Sequence, residues 1–94
     1  MNPEMIKRLK KLQSEMELKQ KELEKKEFKV EKHGVNLVML GDFSVSSIKI
    51  DESLIDPEDK ELLEDLLVVA LNEAIDQIQE AQEALAPSMP GMPF

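Results

Sequence analysis

Apolar residues change their period twice along this chain, and that change restricts it to a helix, a small sheet and a second helix. Met5, Leu9, Leu12, Met16 and Leu23 recur at spacings of 4, 3, 4 and 7. These are the a and d positions of a heptad with one step missing, at Lys19. Pro3 suits a first helical turn, so residues 3–26 are predicted as one helix. Its stripe is thin and contains two Met, which suits a partner's groove better than an enclosed core.

From residue 27 the period drops to two. Phe28 and Val30 alternate with Lys29 and Glu31, as on a half-buried strand. His33-Gly34 is a plausible turn, Val35 to Leu40 a second strand, Gly41-Asp42 a two-residue hairpin turn, and Phe43 to Ile50 a third strand. Pairing about those turns puts Phe28, Val30, Val35, Leu37, Met39 and Ile48 on one face. Val38, Leu40, Phe43 and Val45 fall on the other. With both faces apolar, both need covering. The second set is therefore the candidate dimer interface.

Asp51 to Ile55 is a connector. Asp56-Pro57-Glu58-Asp59 has the form of a helix start: a capping Asp, Pro at the first position, then acids where the dipole favours them. The helix is predicted to run to about Leu85 with an apolar stripe through Leu63, Leu66, Leu67, Ala70, Leu71, Ala74, Ile75, Ile78 and Ala81. Residues 87–94, Pro-Ser-Met-Pro-Gly-Met-Pro-Phe, cannot continue it and are predicted as a flexible tail. The reading is thus one α+β domain over 1–86, with two helices of roughly 36 and 43 Å beside a sheet only about 14 Å wide. Helical ends must project, or pack on a second chain.

The residues offer little chemistry. With no Cys there is neither a disulfide nor a thiolate metal site. His33 is the one His and sits in a turn. The glycines at 34, 41 and 91 build no phosphate loop. Asp51, Glu52 and Asp56 lack the regular spacing of a calcium loop. No catalytic residue, metal ligand, cofactor or small-molecule substrate is expected. No stretch approaches the roughly 18 apolar residues of a membrane span, and Met1 to Met5 lack the core of a signal peptide, so a cytoplasmic protein is expected.

Charge is the informative quantity. The total is −8 over 94 residues. Residues 1–32 hold ten Lys/Arg and seven Asp/Glu, a net of +3, whereas residues 33–94 hold two Lys and thirteen acids, a net of −11. A polyanion would have to meet the N-terminal third. The cations fall in two clusters: Lys7, Arg8, Lys10 and Lys11, then Lys19, Lys21, Lys25 and Lys26. These eight are the candidate DNA-binding residues. Phosphate contact needs only such cations facing one way, but interleaved Glu15, Glu17, Glu22 and Glu24 dilute the signal.

The ordered set of features resembles the YbaB/EbfC family. Asp59-Lys60-Glu61-Leu62-Leu63-Glu64-Asp65-Leu66, with Ala70, Asn72, Glu73 and Ala74 after it, is similar to that family's second helix. Gly41 and Ile48-Lys49-Ile50-Asp51 look like its hairpin turn and the end of its third strand, and Gly91-Met92-Pro93-Phe94 is similar to its ending. The resemblance implies a bacterial, tweezers-like homodimer with a three-stranded antiparallel sheet. It also implies a nucleoid-associated protein that binds double-stranded DNA with little sequence preference and is not an enzyme. Ile75-Asp76-Gln77 stand where members often carry basic residues, which leaves DNA contact to the first helix. The rival reading is an assembly or adaptor module, prefoldin-like, that uses the coiled-coil stripe and no nucleic acid.

Overall fold

The computed structural model describes residues 2–85, so the tail expected at 87–94 lies outside the described residues. Its elements are α1 (Pro3–Lys25), β1 (Glu27–Lys32), β2 (Val35–Leu40), β3 (Val45–Ile50), a 3-10 turn (Glu52–Leu54) and α2 (Lys60–Leu85). The sheet is antiparallel in the order β1-β2-β3.

Asn2 caps α1, accepting a hydrogen bond from the Glu4 N–H at 3.0 Å, with Pro3 in the first turn. The β1–β2 hairpin turns through His33 and Gly34, at φ 48° and 101°, the paired left-handed residues of a two-residue turn. The β2–β3 connection differs from the expected two-residue turn. Phe43 N–H donates to the Leu40 carbonyl at 2.9 Å and Leu40 N–H to the Ser44 carbonyl at 2.8 Å. The loop therefore holds three residues, 41–43, and Phe43 takes φ 68°, where such loops favour Gly. Asp42 accepts from both the Ser44 hydroxyl and the Ser44 N–H. The hydroxyl bond is the chief reason its carboxyl is held below the usual value.

The longer loop moves the register. β3 starts at Val45 rather than Phe43. Leu37 faces Ile48 and Val38 faces Ser47, and a shift between Val38 and Met39 then brings Val45 opposite Met39. A two-residue turn would have set Val45 opposite Val38. Directly paired residues share a face, so Val45 leaves the face it was expected to share with Val38 and Leu40. That outer face is also more polar than expected: β1 supplies Lys29 opposite Val38 and Glu27 opposite Leu40.

The second helix starts later than expected. Asp56 carboxylate accepts from the Glu58 N–H at 3.0 Å, and the Asp59 N–H donates to the Asp56 carbonyl at 3.0 Å. These bonds close a turn, and α2 begins at Lys60. Upstream, Asp51 caps the 3-10 turn by accepting from the Ser53 N–H at 2.9 Å. That bond holds the Asp51 carboxyl below its usual value.

The core lies between α2 and the first two strands. Phe28, Val30, Val35, Leu37 and Met39 of the sheet meet Leu66, Ala70, Ala74 and Ile78 of α2. The two Ala, fully buried, let the helix backbone come close to the strands. Because α2 lies over β1 and β2, the expected core residue Ile48 on β3 is left 42% exposed. Lys32 at the end of β1 pairs with Glu73 of α2 at 3.0 Å. That Glu73 oxygen is shielded from solvent and makes no hydrogen bond, so the ammonium is its charge partner.

The first helix stands apart. Of its residues only Leu23 is buried. The radius of gyration is 19.4 Å, against about 12 Å for a compact domain of this length, and the long axis is 69 Å. What anchors α1 is its last turn. Gly41 N–H donates to the Lys26 carbonyl at 3.0 Å, and Gly41 lies so near α1 that a Cβ there would come within 1.7 Å of the Leu23 carbonyl oxygen.

Candidate nucleic-acid interface

All eight candidate cations are on α1 or, for Lys26, at its C-cap, and all are exposed. A helix advances about 100° per residue, which divides them. Lys7, Lys10, Lys11, Lys21 and Lys25 fall on the side opposite the Met5–Leu9–Leu12–Met16 stripe. Arg8, Lys19 and Lys26 border that stripe along one edge. In sequence the eight form two clusters, 7–11 and 19–26; their division around the helix follows from the same periodicity that reveals the stripe.

The cations are free of acids. Among the described residues the ion pairs are Lys29–Glu27, at 4.0 Å, and Lys32–Glu73. Glu4 and Arg8, Glu15 and Lys19, and Glu22 and Lys26 are spaced for i, i+4 pairing, yet none of these closes. Lys26 instead lies 5.3 Å above the centre of the Phe28 ring, a cation–π position that ties it to the body. Lys19 and Lys26 also rim an open groove of about 430 Å³ between α1 and the end of α2, with Leu23, Ala81 and Leu85 in its wall.

The stripe beside the cations has no cover. Met5, Leu9 and Leu12 are each more than half exposed, and Met16 is 39% exposed. On the sheet, Val38 and Leu40 are half-buried and Phe43 is exposed on the side expected to form the dimer, while Val45, also exposed, lies opposite Met39 on the other face. His33 is an exposed turn residue. Among the described residues no three or more His, Asp or Glu side chains gather as metal ligands. Among the described residues no helix is long and apolar enough to cross a membrane.

The described residues form a small α+β body with a long, cation-bearing helix standing clear of it. A family model for the YbaB/EbfC DNA-binding family matches residues 1–92, and the chain belongs to that family. A nucleoid-associated protein of Mycoplasmopsis pulmonis is 53% identical over 93 residues, covering 97% of this chain and 93% of its own. One of Metamycoplasma arthritidis is 52% identical over 82 residues, covering 87% and 86%. In fold, the chain matches the crystal structure of an uncharacterized Helicobacter pylori protein with a TM-score of 0.67, at 23% identity, over 82% of this chain and 92% of that one.

Proposed function

We propose that this protein is a nucleoid-associated DNA-binding homodimer of low sequence specificity, working in the cytoplasm and without a catalytic step. The observation that carries the reading is the row Lys7, Lys10, Lys11, Lys21 and Lys25. These cations are exposed and unpaired with any carboxylate among the described residues, on the side of a projecting helix that faces away from its apolar stripe. Ammonium groups along a rod contact phosphates without reading bases. The seven acids of α2 would repel a duplex, so contact falls to α1, and a dimer doubles the cations on offer. The names of the relatives, nucleoid-associated proteins, support the same location.

The test is a gel shift of duplex DNA at about 50 and about 200 mM salt. Non-specific binders have dissociation constants of about 10⁻⁴–10⁻⁶ M at physiological salt, and five phosphate contacts lose on the order of 500-fold between those two concentrations. Lys7→Glu, Lys10→Glu and Lys11→Glu together should abolish the shift, whereas Lys49→Glu with Lys60→Glu should change it little. A wild type that fails to shift DNA at low salt overturns the reading in favour of an assembly module working through the exposed stripe.

A further inference from the structure

Two helix surfaces of this protein lack a partner, and they are complementary. On α1, the stripe Leu9–Leu12–Met16 is exposed, with Arg8 and Lys19 along one edge. On α2, the side opposite the buried row Leu66–Ala70–Ala74–Ile78 carries Val68 and Val69, 57% and 49% exposed, with Asp65 and Asp76 beside them. The helices differ in charge. α1 has seven Lys/Arg and five Glu; α2 has one Lys and seven acids.

The spacing matches as well as the sign. Arg8 and Lys19 are eleven residues apart, and so are Asp65 and Asp76. Eleven helical residues rise about 16 Å and complete roughly three turns, so each pair lies along one edge of its helix. Between the charges, at the same 4-3-4 spacing, lie Leu12 and Glu15 on one helix and Val69 and Asn72 on the other, with Leu9 and Met16 flanking Leu12. Laid together in parallel, the two helices would set Arg8 on Asp65 and Lys19 on Asp76, with Leu12 against Val69 and Glu15 against the Asn72 amide between them. The α1 of the same chain cannot make this contact, because its last turn is fixed beside Ala81 and Leu85 at the far end of α2.

We infer that the Arg8/Lys19 edge of α1 docks on the Asp65/Asp76 face of α2 in a second copy of this chain. The contact is separate from the sheet residues assigned to the dimer. It also leaves Lys7, Lys10, Lys11, Lys21 and Lys25 outward, so a copy can hold its neighbour and a polyanion at once. Surface unlike in its two halves joins head to tail, and such contacts extend into chains unless the rotation closes a ring.

The experiment is a charge swap without DNA, so its result does not depend on the DNA reading. Fluorescently labelled Arg8→Glu/Lys19→Glu protein is titrated with Asp65→Lys/Asp76→Lys protein at about 50 mM salt and followed by anisotropy. Each variant titrated with its own unlabelled form gives the level due to the sheet contact alone. All four positions are exposed, so circular dichroism should show both proteins folded. The mixed pair should associate at least tenfold more tightly than either variant with itself. Equal affinities in the three titrations would overturn the inference, as would undiminished self-association of both reversed proteins relative to wild type. If either reversal unfolds the protein, Arg8→Gln/Lys19→Gln against wild type reads the same contact as at least a threefold loss, and no loss refutes it.

Discussion

Gly41 lies against the Leu23 carbonyl so closely that no side chain fits between them: a Cβ at 41 would fall 1.7 Å from the oxygen and 3.2 Å from the Glu24 Cα. The obstruction is backbone, which cannot swing aside as a side-chain tip can. Gly41→Ala should therefore cost at least the about 1–3 kcal/mol typical of overpacking, read as a fall in the urea midpoint. It should also loosen α1, seen as faster amide exchange at Lys25 and Lys26. Wild-type stability in this variant would mean that α1 is not seated where the Gly41–Lys26 bond puts it.

Phe43 holds a left-handed backbone at φ 68°, a conformation that costs a bulky residue about 1–3 kcal/mol and costs Gly almost nothing. Its ring is 41% exposed, so the single chain gives it little in return. Phe43→Gly should raise fold stability by about 1 kcal/mol and weaken self-association. A variant that loses stability while associating normally would contradict both halves of this account.

Val38→Asp tests the sheet contact. The side chain is half-buried on the face away from α2, and a second copy covering it would bury an unpaired carboxylate. Light scattering should show the variant at half the mass of the wild type at micromolar concentration. A wild type that is itself monomeric there removes the sheet dimer altogether.

Asp42 and Asp51 set an acid limit. Both carboxyls sit below their ordinary value of 3.8, Asp42 through the Ser44 hydroxyl and Asp51 through the Ser53 N–H. Since the folded values are lowered, the stability they contribute is complete above 3.8 and is lost as pH falls below it through the folded values. Asp42→Ala/Asp51→Ala should be less stable than wild type near pH 6, and the gap should close in more acidic solution. A gap that stays constant down to pH about 2 would show that the bonds do not favour the ionised form.

Much of this fold was legible because periodicity reports burial. The alternation of Phe28 and Val30, and of Val35, Leu37 and Met39, put those five residues in the core, and His33-Gly34 carried a turn that needs positive φ twice. The β2–β3 loop was not legible. Phe43 occupies a position where residue preference favours Gly, so Gly41-Asp42 took the apparent turn and the register of β3 went with it. Gly41 has the local pattern of a turn residue, yet it is required by a carbonyl eighteen residues earlier, which no local pattern displays. Ile48 fitted the core pattern but lies outside the width of one helix. Of the candidate site, the cations and their exposure followed from the α1 pattern; their separation from every carboxylate among the described residues needed coordinates.

The single buried residue at the root of α1, Leu23, makes that helix a lever with a short fulcrum. A tilt of about 10° at the root carries the far end of a 23-residue helix sideways by about 6 Å, given a rise of 1.5 Å per residue. DNA presents one phosphate per about 1.7 Å of its axis, so that arc spans several charges. Under the proposed DNA-binding reading, bending at that one point would re-aim the ammonium groups near the tip, at Lys7, Lys10 and Lys11, from one phosphate to the next, with the core between α2 and the sheet left as it is.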